Sequence, residues 1–164
     1  VIFDLTVAIE VGLVIACVLF MKRVMETTEI SVITDEIDPN KESDIAVHEE
    51  NLMIPKGIEV YEINGPYFFG IATKFEETMT QLGDRPKVRI IRMRKVPFID
   101  STGIHNLTAL CEMSQKEKTT IILSGVNKNV HNVLEKAGFY ELLGKENICP
   151  NINVALERAK SLVK

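Results

Sequence analysis

Cysteine is scarce in this chain: three in 164 residues, at positions 17, 111 and 149. The number is odd and the spacing wide and unlike that of metal ligands, which excludes a disulfide scaffold. Cys17 and Cys111 fall at apolar positions, and the three are expected to be buried free thiols. A basic surplus is lacking too. Nineteen Lys and Arg stand against 23 Asp and Glu, a net charge of −4, which argues against a protein built around nucleic acid. No nucleophile elbow, Walker-type phosphate loop or dinucleotide fingerprint occurs. Gly65, Gly70 and Gly83 are too scattered to cradle a nucleotide. His48, His105 and His131 have no second His or Cys nearby, so neither a metal site nor a cofactor is expected. What is present is globular. Apolar residues make up 46% and charged residues 26%, near the averages of folded domains. The length suffices for one domain with a core of its own.

Charge is unevenly distributed. Residues 1–25 carry Asp4, Glu10, Lys22 and Arg23, and are neutral overall. Residues 26–57 carry nine acids against Lys41 and Lys56, and residues 58–164 have 15 basic and 12 acidic groups. A neutral apolar piece, an acidic connector and a slightly basic globular piece imply three environments, divided at 1–23, 24–57 and 58–164. The first opens without Met, which points to a piece of a longer polypeptide. It is a poor signal peptide, because Lys22-Arg23 follows the apolar run and no cleavage site stands out. As a helix of 21 residues it would extend about 31 Å, the thickness of a bilayer core. Its basic end is the flank expected on the cytoplasmic side. A carboxylate at mid-bilayer costs on the order of 3 kcal/mol, so Asp4 and Glu10 are expected to face other spans or water. A buried core helix is the competing reading.

In the connector, Glu29 to Thr34 is β-branched and predicts a short strand. Asp35 to Glu50 is acidic and buries little, as a solvated loop or a partner-binding arm. Beyond it, Ile58 to Asn64 alternates with period two and predicts a half-buried strand. Ile71, Phe75, Met79 and Leu82 mark a helix face. Val88 to Met93 predicts a strand, Ile104 to Cys111 a helix, Thr119 to Leu123 a strand, Val130 to Ala137 a helix capped by Gly138, and Val154 to Val163 a final helix. Such alternation implies a partly parallel sheet covered by helices. Arg85, Lys87, Arg89, Arg92, Arg94 and Lys95 form a basic cluster, expected as solvated strand ends, ion pairs with the acidic connector, or a contact with anionic lipid.

Residues 92–103, running from Arg92 through Val96-Pro97-Phe98-Ile99 to Asp100-Ser101-Thr102-Gly103, resemble the STAS domain, in particular that of SulP-type anion transporters. Val60 to Gly70 is similar to that family's first conserved strand and turn. Phe3 to Ala8 with Phe20 to Arg23 resembles the last membrane span of the transporter. The resemblance implies an α/β fold, a mixed sheet surrounded by helices behind an apolar N-terminal helix. It also implies a cytoplasmic placement of residues 24–164 at the inner or plasma membrane. The parent would be a carrier of sulfate, bicarbonate, chloride or dicarboxylates, and the domain itself no enzyme. Implied partners are the membrane domain of its own transporter, reached through residues 1–23, a second copy of the chain and a cytosolic regulator; nucleic acid is not among them.

The loop Asp100, Ser101, Thr102 and Gly103 is the candidate contact site for a partner or an anion. A Ser or Thr ahead of a helix stabilises its start by about 1 kcal/mol, and exposed N–H groups there suit an anion. In the related anti-sigma-factor antagonists the residue after the Asp is phosphorylated. Position for position that is Ser101, with Thr102 adjacent. Helix capping alone, a freestanding regulator switched at Ser101, and a ligand-binding enzyme domain are the alternatives.

Overall fold

The computed structural model describes residues 2–26, 29–33, 36–37, 52–67 and 85–163. The helix expected over residues 71–82 and most of the acidic connector lie outside these residues. The chain opens with α1 (Ile2–Glu26) and β1 (Glu29–Ile33), followed by β2 (Glu36–Ile37) and β3 (Leu52–Met53), which pair with each other. Then come β4 (Ile58–Asn64), β5 (Val88–Lys95), α2 (Ser101–Lys116), β6 (Thr120–Ser124), α3 (Lys128–Lys136), α4 (Phe139–Leu143), β7 (Ile148–Cys149) and α5 (Ile152–Val163).

Five strands form one mixed sheet in the order β1-β4-β5-β6-β7. β1 runs antiparallel to β4, and the other pairs are parallel. The strand expected at Glu29 to Thr34 is thus built into the domain's sheet. A parallel sheet covered on both faces needs strands that are apolar almost throughout. β5 is buried from Val88 to Met93 but departs from that rule, since Arg89 and Arg92 are buried along with its apolar residues. Its alternation divides the core in two. Ile91 and Met93 join Tyr61, Ile63 and Leu123 under Leu107 and Cys111 of α2, Val130 and Leu134 of α3, and Phe139 of α4. Val88 and Ile90 join Val60 and Ile122 under Ile152, Ala155, Leu156 and Ala159 of α5.

The helix ends follow local chemistry. Asn127 caps α3 by accepting from the Val130 N–H at 3.0 Å. Gly138 takes a left-handed φ of +71°, which ends α3 as expected and lets the chain turn directly into α4. α4 and β7 were not anticipated: five and two residues are too short to show a period. The core-helix reading of the opening segment does not hold, since every side chain from Asp4 to Arg23 is exposed. Cys111 and Cys149 are buried, but Cys17 is exposed on α1, contrary to the expectation of three buried thiols.

Candidate functional site

The loop singled out in the sequence sits where the carboxyl end of β5 turns into α2. Asp100 has an extended backbone, and its carboxylate accepts from the Gly103 N–H at 2.7 Å. Asp100 is therefore the N-cap, which corrects the expectation that Ser101 or Thr102 caps the helix. Those two residues are the first of the helix itself. A short acidic side chain suits the cap because it satisfies a donor that the helix leaves free and complements the helix dipole. Ser101 and Asp100 are exposed, Thr102 is half-buried and Gly103 is buried.

Gly103 is set by close approach. A Cβ there would lie 2.4 Å from the Tyr67 carbonyl oxygen and 2.8 Å from Ile99 Cγ1. Tyr67 is in turn fixed by its N–H donating to the Phe98 carbonyl at 3.1 Å and by a parallel bridge to Ile99. The Asn127 amide donates to the Val96 carbonyl, tying the turn ahead of the loop to the start of α3. Sequence reasoning missed Tyr67 and Asn127; only the helix-cap preference of Asn was readable. The loop is thus a shelf of closely fitted backbone that leaves Ser101 exposed to solvent and Thr102 half-buried. Phe98 stands beside it, 51% exposed.

The basic cluster is divided by the strand pleat. Arg89 and Arg92 are buried, while Arg85, Lys87 and Arg94 are exposed. Their ion-pair partners among the described residues lie on β4, not on the acidic connector, while Lys87 Nζ donates to the Val163 carbonyl at 3.1 Å and Arg89 Nη1 to Ser114 Oγ at 3.4 Å. Arg92 Nη1 is 3.2 Å from Glu62 Oε1, with Lys95 Nζ 3.8 Å from Glu62 Oε2. On the other face Arg89 Nε reaches Glu59 Oε2 at 3.4 Å, and its guanidinium lies 5.8 Å from the Tyr61 ring centre. The Tyr61 hydroxyl donates to the same Glu59 oxygen at 2.8 Å. Burial, and then Glu59, push the Tyr61 phenol well above its ordinary value. Two acids on β4 facing two arginines on β5, in register, cross-link the parallel pair. His105 and His131 are both exposed, and His131 meets the Tyr140 hydroxyl. Among the described residues no three His, Cys, Asp or Glu side chains gather as a metal site.

Asp4 and Glu10 lie on α1, whose stretch Asp4–Arg23 is by length and composition able to cross a membrane. The structure does not bring these two acids together with the Asp100–Gly103 loop into one site.

Comparison with known proteins agrees with this architecture. The family model described as "STAS domain" matches residues 51–155. A sulfate transporter family protein from Wolinella succinogenes is 44% identical, with a TM-score of 0.65 over 68% of this chain and 92% of that one. The SulP transporter STAS domain from Vibrio cholerae is 34% identical, with a TM-score of 0.61 over 68% of this chain and 87% of that one. Sulfate transporter 1.2 of Arabidopsis thaliana is 26% identical over 92% of this chain and 25% of its own length. The chain spans about a quarter of the length of the curated relatives it matches.

Proposed function

The chain belongs to the STAS domain family, with homology to SulP sulfate transporters, and from that premise we propose that it is the cytoplasmic regulatory and assembly domain of a SulP-type anion carrier. Residues 1–23 are the last span of that carrier's membrane domain, 24–57 the linker that contributes β1 to the sheet, and 58–164 the body of the domain. It works by protein contacts and performs no catalysis. The observation that carries this proposal is α1: a helix of membrane-crossing length, none of whose described side chains is buried, leads into the STAS fold. A helix so apolar and so exposed requires lipid or other spans around it. Asp4 and Glu10 then face protein or water within the carrier.

The Asp100–Gly103 shelf is the contact site, and Ser101 is the position at which a partner is switched. A phosphate on Ser101 adds a charge of about −1.5 to −2 at a helix N-terminus, where the dipole favours it. Ser101 is exposed, so a phosphate there need not displace a buried residue. The partner surface would thus change while the fold stays. The same exposure favours a second reading, a freestanding regulator switched at Ser101, in which α1 has no purpose.

Separating membrane from cytosol in the source cells and probing with antibody to residues 58–164 distinguishes the two. A membrane band far larger than 18.4 kDa is expected. A soluble band near that mass overturns the carrier reading and turns attention to kinase assays with Ser101→Ala as control.

A further inference from the structure

On the α5 face of the sheet, at the carboxyl ends of β5 and β6, lies a cleft of about 260 Å³ lined by Arg92, Arg94, Ser124, Gly125, Asn151 and Asn153, among others. We propose that this cleft binds a small tetrahedral oxyanion, the chemistry shared by inorganic sulfate, inorganic phosphate and a phosphomonoester.

Four features converge there. Arg92 and Ser124 are register partners on adjacent parallel strands, so both side chains leave the sheet on the same side. Ser124 is fully buried, and its hydroxyl has no hydrogen-bond partner among the described residues. Buried hydroxyls are nearly always satisfied, and one lining a cleft has its missing partner in whatever fills that cleft. Arg94, exposed at the mouth, adds a second guanidinium. The N-terminus of the 12-residue α5 closes the far wall. Asn151 takes the Val154 N–H there at 3.0 Å, and the first turn of a helix carries further N–H groups without intrahelical partners and a positive dipole end.

Among the described residues no acidic side chain lines the cleft. Glu62 meets Arg92 from β4 through one terminal nitrogen, and a guanidinium has five N–H donors to share. Two guanidiniums, a hydroxyl and a helix end are donors, and an oxyanion offers only acceptors. A metal cation finds no carboxylate among these residues. Gly125 keeps the mouth open: it holds a φ of +70°, and a Cβ on it would press to 3.2 Å against Arg94 Cβ. The cleft is separate from the Asp100–Gly103 shelf and independent of its proposed switching.

The full 164-residue chain, isotope-labelled in maltoside micelles that carry no phosphate, is titrated with sodium sulfate, sodium phosphate and adenosine monophosphate. Each is followed by amide chemical shifts against sodium chloride at equal ionic strength. Saturable shifts at Gly125 and residues 151–154 are expected. Arg94→Gln should weaken binding about tenfold, the loss of a charge-assisted hydrogen bond. Ser124→Ala should weaken it about fivefold. Arg94 is at the surface, so its substitution leaves the fold intact even if Ser124→Ala does not. Saturation by the inorganic ions assigns a free anion; saturation by the nucleotide alone assigns a phosphomonoester; either supports the site. Shifts no different from those of chloride overturn it, as does saturable binding that Arg94→Gln leaves unchanged.

Discussion

At Gly103 the absence of one methyl group allows β5 to pass into α2 at this height. Alanine would place a carbon 2.4 Å from a backbone oxygen, and backbone does not move aside as a flexible side chain does. Overpacking of this kind costs about 1–3 kcal/mol. Gly103→Ala is therefore expected to lower stability by about 2 kcal/mol and the melting temperature by roughly 6 °C, read by circular dichroism. An unchanged melt would show that the contact with Tyr67 relaxes freely. A different residue governs alkaline stability. Burial raises the Cys111 thiol from 9.0 to about 12. A folded-state pKa above the unfolded one means that the folded chain holds the proton longer. The stability so gained is fully present below pH 9 and is lost as pH rises toward 12. Tyr61, raised in the same direction, adds to the loss. Melting temperatures measured across this range should fall, and Cys111→Ala should make the fall shallower; an equally steep fall in the variant would remove Cys111 as a cause.

Paired strands behave differently from single residues. Glu62 faces Arg92 and Lys95 where it is largely withdrawn from water. Such a pair adds little compared with apolar side chains of similar size, yet removing one partner strands a buried charge. Glu62→Ala is expected to cost about 3 kcal/mol in urea unfolding, and Glu62→Leu with Arg92→Leu to recover most of it. Additive losses in the double variant would contradict that account. This pairing also marks where the sequence was readable. β4, β5 and β6 announced themselves by runs of Val and Ile, and α2 by Leu107, Leu110 and Cys111 on one face, because burial of a long element leaves a period in the chain. The six clustered cations did not announce their split, because Arg89 and Arg92 look as solvent-seeking as Arg85 until the acids of β4 are placed opposite them. Asp100 looked like the lesser member of its loop, since Asp, Ser and Thr all serve as caps and only the backbone angle at Asp100 decides among them. The cleft beside Ser124 was not readable at all: it joins residues from β5, β6 and α5 that lie far apart in sequence.

For the molecule as a whole, α1 and the sheet make opposite demands on solvent. The sheet and its helices bury their apolar side chains, whereas α1 leaves Leu5, Ile9, Leu13, Val14, Leu19 and Phe20 more than half exposed. The full chain is expected to stay with membranes through an alkaline carbonate wash and to leave them only in detergent. Release by the wash would mean that α1 does not span. The join between the two parts is short: only residues 27 and 28 separate α1 from β1. A fully extended chain advances at most about 3.6 Å per residue, so the three steps from Glu26 to Glu29 reach roughly 11 Å. β1 lies at the margin of the described sheet, pairs along its length with β4, and packs Ile30, Val32 and Ile33 against the core. The connection is thus a leash that can never be longer than this. A tilt or piston movement of the helix beyond that reach must either drag the sheet along or peel its marginal strand away. Tension in the bilayer-embedded part would be felt first in the ladder between Ile30 and Ile63.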